Sequence, residues 1–236
     1  MADVVPAHPP VRVAVAGSSD HFPVRRIFCV GRNFADHARE MGAAVPTSKA
    51  DRGTPVFFTK PADALVLDGV VPYPPGTREL HHEVEFVVAL GADAPAGELP
   101  VDAAQALVYG YALGLDLTRR DLQAAAKAKG LPWDSGKAFD HSAPIGPIVP
   151  AAQLGGLGAR RLRLHVNGEL RQDGGLADLV WDVPEILHEL SKLFALKAGD
   201  LVYMGTPAGV GPLQPGDSYV ATLDGIAPLE GRIVAP

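Results

Sequence analysis

Residues 82–90 read His82-Glu83-Val84-Glu85-Phe86-Val87-Val88-Ala89-Leu90, an apolar, valine-rich run free of Gly and Pro that predicts a strand. Side chains alternate along a strand, so Glu83 and Glu85 leave from one face while Val84, Phe86 and Val88 leave from the other. Two like charges on one face repel, and burial makes the repulsion worse. Two readings stay open at this point: an edge strand with its charges in water, or a divalent cation between the carboxylates. Asp116 is a third acid of the same kind, at the end of the apolar run Tyr109 to Leu115. Three hard oxygen ligands without a cysteine suit Mg²⁺ or Mn²⁺, one ion per chain, with water or substrate completing the shell. His81 and His82 stand beside the pair and could join it.

Outward from this strand the chain alternates short apolar runs with turn signals. Strands are predicted at Val24–Val30, Pro55–Thr59, Tyr109–Leu117 and Leu201–Met204, and a hairpin spans Arg163–Gln172 around Asn167-Gly168. Helices are predicted from Phe34 to Met41 with Asn33 as N-cap, and from Thr118 to Gly130 behind a Thr118/Asp121 box. A third runs from Pro184 to Leu196, capped by Asp182. The polar stretch Ala43–Thr54 reads as a mobile surface loop that could close over substrate. Among 236 residues, 26 Gly and 22 Pro favour many short elements over long helices. With no repeat and no linker, the expectation is a strand-rich α+β chain: an arm at 1–23 and a single catalytic domain at 24–236.

A net charge of −6 with dispersed basic residues leaves no footprint for nucleic acid. No apolar run reaches the roughly 18–20 residues of a membrane span, and MADVVPAHPP does not resemble a secretory leader. Cys29 is the only cysteine, which suits a reducing cytoplasm and a packing role.

Other residues pair by spacing. His37 and Glu40, three apart on a helix, share a face; a carboxylate beside an imidazole fixes its tautomer and raises its basicity, although an ordinary surface pair has the same spacing. Arg120 and Gln123 repeat that spacing just after Asp116 and could face the same centre or solvent; an Arg fork matches a carboxylate. Lys137 lies in an irregular segment where a lysine is usually solvated. The Gly205–Gly211 turn lacks a nucleotide-loop pattern but can offer Thr206 and backbone N–H groups to a carboxylate.

Seven stretches, RRIFCVGRNFADHAREMG (25–42), FFTKPADALV (57–66), LHHEVEFVVALG (80–91), YGYALGLDLTRRDLQ (109–123), GLPWDSGKAFDHSAPIGP (130–147), HVNGELRQ (165–172) and LKAGDLVYMGTPAGVG (196–211), together resemble the fumarylacetoacetate hydrolase superfamily over about nine-tenths of the chain. The nearest likeness is to fumarylpyruvate hydrolases and the acylpyruvase/oxaloacetate decarboxylase branch. The resemblance implies a mixed β-sandwich roll, usually in a homodimer. It implies that Glu83, Glu85 and Asp116 ligate Mg²⁺ or Mn²⁺, that His37 and Glu40 activate water, and that Lys137 sits at the reacting centre. Arg32, Arg120, Gln123 and Thr206 would contact the carboxylate or oxo groups of a small anionic oxo acid. The implied reaction is hydrolysis of the C–C bond of a 2,4-dioxo acid such as fumarylpyruvate, in aromatic-acid (gentisate) catabolism. Oxaloacetate decarboxylation, or isomerisation of an unsaturated oxo diacid such as 2-hydroxyhepta-2,4-diene-1,7-dioate, would use the same metal site. Met204 and the segment DGGLADLVW (173–181) depart from the family pattern and are expected to alter pocket shape.

Overall fold

The computed structural model describes residues 3–40, 42 and 48–236. Met41 and residues 43–47, in which the sequence predicts a helix end and the start of a surface loop, lie outside the described residues. Two mixed sheets form a sandwich. The larger runs, edge to edge, through Val149–Pro150, Val108–Leu115, Val84–Leu90, Asp200–Tyr203, Arg26–Gly31 and Val56–Lys60. The smaller runs through Glu169–Gly175, Arg161–Val166, Ser218–Thr222, Leu229–Val234 and Val70–Pro72. Asp200–Tyr203 pairs in parallel with Arg26–Gly31 and antiparallel with Val84–Leu90. The architecture is the strand-rich α+β fold that the sequence predicts.

All seven residues of Val84–Leu90 are buried, because this sheet is covered on both faces. Val84, Phe86 and Val88 join Leu113, Leu115, Leu162 and Leu164 in the core between the sheets. Val87 and Ala89 face a second core with Cys29, Leu201 and Tyr203. A hairpin of Arg12–Ala14 and His21–Pro23 closes that second core through Val13, Val15 and Phe22. Each large side chain so buried is worth about 1.5–3 kcal/mol of transfer free energy. Cys29 is fully buried, and burial pushes its thiol well above the usual range, as befits a packing residue.

Among the described residues four short α-helices decorate the sandwich: α1 (Ala35–Glu40), α2 (Arg120–Lys129), α3 (Asp134–Lys137) and α4 (Val183–Ser191). Among the described residues no helix is long and apolar enough to cross a membrane. At α4 the predicted cap forms: the Asp182 carboxylate accepts from Glu185 N–H at 3.0 Å, and Glu185 returns a bond to Asp182 N–H at 3.1 Å. The predicted box at Thr118 and Asp121 does not form, and α2 begins at Arg120 without a side-chain cap. Asp121 instead accepts from Thr77 Oγ1 at 2.6 Å and Arg78 N–H at 3.1 Å. Asn33 does not cap α1 either. Its amide donates to the carbonyls of Trp181 (3.0 Å) and Met204 (2.8 Å), and its oxygen accepts from Trp181 N–H.

Candidate active site

The strand register assembles the acids. Val84 pairs with Leu115, so the next residues, Glu83 and Asp116, also lie side by side, tied by Asp116 N–H donating to the Glu83 carbonyl at 2.8 Å. Glu85 is two residues along on the same face. The three side chains are 5%, 2% and 0% exposed, and one carboxylate oxygen from each lies within 4.8 Å of the others.

Three buried carboxylates this close need positive charge. Part comes from the protein. Lys137 Nζ donates to Glu83 at 2.8 Å, Asp116 at 2.5 Å and Thr118 Oγ1 at 2.7 Å, which commits all three of its protons. Arg120 donates to the other Glu83 oxygen and, at 2.7 Å, to Gln123 Oε1. Burial alone would lift Glu83, but Lys137 and Arg120 outweigh it and hold its carboxyl well below the usual range. Burial would likewise depress Lys137, yet Asp116 and Glu83 raise it. Glu85 has a different balance: its hydrogen bond comes from Gly205 N–H at 2.8 Å and it has no ion pair among the described residues. Burial first, then Asp116 and Glu83, push it well above the usual range. Asp116 Oδ1 makes no hydrogen bond, although the Lys60 ammonium is 2.9 Å away. An under-compensated Glu85 beside an acceptor without a hydrogen bond fits a divalent cation, and the all-carboxylate donor set suits Mg²⁺ or Mn²⁺. Neither neighbouring histidine joins the trio: His82 Nδ1 bonds Gln172 and His81 Nδ1 accepts from Arg120. His81 is held down to about 4 by burial and by Arg120.

One cleft collects Arg32, His37, Glu83, Glu85, Asp116, Arg120, Gln123, Lys137 and Thr206, with Val30, Gly31, Phe58, Lys127 and Trp133 completing its wall. Glu40 stands behind His37, its carboxylate 3.2 Å from Nδ1 and itself held by Gly209 N–H. A carboxylate only accepts, so Nδ1 carries the proton and Nε2 is left as the base. Arg32 has a left-handed backbone (φ 61°), a strained conformation for a residue with a Cβ. Lys137 ends the one-turn helix α3 instead of lying in irregular chain. Gly136 permits this, because a Cβ there would come within 3.0 Å of Gln123 N. Gly205 is at φ 94°, and a Cβ on it would lie 2.8 Å from Asn33 Cβ; the glycine lets the turn carrying Thr206 come close to the segment that leads into α1. Met204 and residues 173–181 do not line the cleft; Met204 and Trp181 reach it through Asn33, the neighbour of Arg32, whose amide bonds both carbonyls.

Three residues of the site escape the sequence reading. Lys60 ends a short apolar strand and is 1% exposed, donating to the Leu117 and Lys137 carbonyls beside Asp116. Gln172 is 1% exposed on the hairpin of the smaller sheet. Pairing passes from Leu164–Gln172 to His165–Leu170, so Arg171 is an extra, bulged residue that turns Gln172 inward and leaves Leu170 outside. Its oxygen accepts from Val84 N–H, and its amide donates to the Pro207 carbonyl and, at 2.8 Å, to Thr206 Oγ1. The third is Lys127, four residues after Gln123 on the same face of α2.

Comparison with known proteins identifies relatives of this fold. The family model described as fumarylacetoacetate (FAA) hydrolase C-terminal matches residues 26–234. The crystal structure of fumarylpyruvate hydrolase from Pseudomonas aeruginosa, in complex with Mn²⁺ and pyruvate, is 42% identical with a TM-score of 0.92, covering 100% of both chains. A 5-carboxymethyl-2-hydroxymuconate delta-isomerase structure from Mycobacterium smegmatis is 29% identical with a TM-score of 0.76, covering 91% of this chain and 79% of that one. The Escherichia coli oxaloacetate tautomerase YcgM is 43% identical over 86% of this chain and 90% of its own. The mouse mitochondrial oxaloacetate tautomerase FAHD1 is 42% identical over 89% and 91%. With the family model matching residues 26–234, the chain belongs to the fumarylacetoacetate hydrolase family.

Proposed function

We propose that this chain hydrolyses the C–C bond of a 2,4-dioxo acid, with fumarylpyruvate the preferred substrate and fumarate and pyruvate the products, a reaction belonging to aromatic-acid catabolism. The observation that carries the reading is a carboxylate-backed imidazole, His37 with Glu40, opening on the same cleft as the three buried acids. A Mg²⁺ or Mn²⁺ ion held by Glu83, Glu85 and Asp116 would supply Lewis acidity and a template for the oxo-acid end of the substrate.

The side chains divide the remaining work. His37 Nε2 takes a proton from water as its oxygen attacks the 4-oxo carbon, and the Glu40 carboxylate stabilises the resulting imidazolium. Lys137, on the wall of the same cleft, would meet the oxyanion forming at that carbon with its ammonium. Its three protons are committed to Glu83, Asp116 and Thr118, so it can donate only once a counter-charge on the acids frees one. Breaking C3–C4 leaves an electron pair on C3, which takes up a proton. Arg32, Arg120 and Gln123 hold the carboxylate and oxo oxygens. Thr206 Oγ1 already accepts from Gln172, so its own hydrogen is free to point at substrate.

Keto–enol tautomerisation of oxaloacetate is the second reading, favoured by the identity to the tautomerases of mouse and E. coli; it shares the acids and the base but leaves every C–C bond intact. The proposal includes a single catalytic unit over residues 24–236, behind a segment at 1–23, and a homodimer. Purified protein with Mg²⁺ should release pyruvate from fumarylpyruvate, and His37→Ala should abolish that release. Loss of enol-oxaloacetate absorbance with no pyruvate from any dioxo acid would decide for the tautomerase.

A further inference from the structure

Thr206 is 2% exposed on the cleft wall, and among the described residues its hydroxyl has a single partner, the Gln172 amide. Groups that have no choice of role decide which of the two donates. A backbone N–H only donates, so the Gln172 atom 3.0 Å from Val84 N is the oxygen. A backbone carbonyl only accepts, so the atom 2.8 Å from the Pro207 oxygen is the amide nitrogen. Turning the amide over would break both bonds. His82 Nδ1, 2.9 Å from the same Gln172 oxygen, carries its proton there and fastens the amide further. The second amide hydrogen goes to Thr206 Oγ1 at 2.8 Å.

Thr206 therefore accepts from Gln172, and its own hydrogen has no acceptor among the described residues. Thr118 shows the opposite arrangement. Its hydroxyl receives the Lys137 ammonium and gives its hydrogen to the Asp116 carbonyl, so both capacities close within the protein. A buried donor left open costs about as much as a lost hydrogen bond. At Thr206 that open donor stands on the wall of the cleft, and the residue that leaves it open comes from the other sheet, turned inward by the bulge at Arg171. We propose that Gln172 is a positioning residue that fixes Thr206 as a hydrogen-bond donor towards the cleft, so that this point of the wall takes an oxygen bearing no hydrogen, carboxylate or oxo. This rests on the reading that Thr206 meets the substrate, and it adds what sets the direction of that bond. Without the Gln172 amide the hydroxyl has no fixed sense, and the Pro207 carbonyl, itself left without its donor, competes for the hydrogen.

The alternative is a purely structural tie between the two sheets, and a double-mutant cycle separates the two roles. Calorimetric titration of pyruvate into Mn²⁺-saturated protein reads affinity without turnover. Thr206→Val, which keeps the shape and removes the hydroxyl, should weaken pyruvate about tenfold or more, the range of a hydrogen bond to a charged group. Gln172→Met should weaken it about fivefold or more when Thr206 is present and less than about twofold in the Thr206→Val background, while the unfolding temperature falls equally in both. Gln172→Glu provides a second cycle that keeps an acceptor for Val84 N–H. Its added charge acts in both backgrounds, so its effect should still be about fivefold larger with Thr206 than without. Equal losses in the two backgrounds, or no loss in either, overturn the proposal and leave the reading of Thr206 standing. A Thr206→Val variant that binds pyruvate as well as the wild type, or a wild type that binds none, refutes that reading and the proposal with it.

Discussion

Two helix starts carry nearly the same local signature and use it differently. At α4, Asp182 and Glu185 exchange hydrogen bonds with each other's backbone and close the helix end. At α2, Thr118 and Asp121 have the same spacing, yet neither caps. Thr118 is fully buried: its hydroxyl receives the Lys137 ammonium and donates to the Asp116 carbonyl. Asp121 is taken by the turn at Thr77 and Arg78. The first box lies on the periphery, where Arg52 and Lys49 share the Glu185 carboxylate with the helix without displacing it. The second adjoins a cluster of buried charge, and a buried cation short of partners outbids an exposed N–H that water can serve. Local signatures hold where other partners can share the side chain with the helix end, and they fail at the site, where buried charge takes it whole.

Substitutions at the two starts should therefore differ in their effect on activity. The largest effect belongs to the lysine that Thr118 serves. Lys137→Met should lower kcat by about a thousandfold in a dioxo-acid assay, as expected for loss of a preorganised charged donor. Thr118→Val removes the bond to that ammonium and the one to the Asp116 carbonyl; at about 1.5–3 kcal/mol for the charged bond, kcat should fall roughly ten- to a hundredfold and the urea midpoint should fall as well. Asp182→Ala should lose about 1 kcal/mol of stability in urea titration with kcat unchanged. If Thr118→Val destabilised the fold like a lost cap and spared kcat, the contrast between the two starts would be void.

The subtlest difference appears in acid. Burial would raise Glu185, but hydrogen bonds from Arg52 and Lys49 hold it down at about 2, against 4.5 for a free glutamate. A depressed carboxylate contributes stability that is present above the unfolded value and lost as pH falls through the folded one. The wild type should lose stability between about pH 4.5 and pH 2. Glu185→Gln, without that linkage, should lose less across the same window in thermal melts. A steeper acid loss in the variant would contradict the assignment.

How much was legible follows the same line. The strand at Val84–Leu90, the Asn167-Gly168 hairpin and the Asp182 cap are set by neighbours in sequence, and all three form where expected. Alternation put Glu83 and Glu85 on one face, and helical spacing paired His37 with Glu40. What brings Asp116 beside Glu83 is the register of Val84 against Leu115, a long-range match no local pattern encodes. Lys60 carries no signal in the sequence, because a lysine ending an apolar run usually reaches water, whereas here two carbonyls and Asp116 hold it inside. Gln172 is hidden by a bulge: counted from the two-residue turn, plain alternation sets Arg171 opposite Leu164 and Gln172 on the outer face, and the extra residue Arg171 turns Gln172 inward. Lys127 was within reach, since the spacing that linked Arg120 to Gln123 extends to it by one more turn.

Mn²⁺ binding followed by electron paramagnetic resonance tests the central claim most directly, because it depends on the three acids and not on any reaction. One ion per chain should bind to the wild type, and Glu85→Gln, which replaces the acid lacking a cationic partner, should abolish or severely weaken that binding while keeping the fold. A wild type that binds no ion, or a Glu85→Gln variant that binds it equally well, would show that Glu83, Glu85 and Asp116 converge for some other reason.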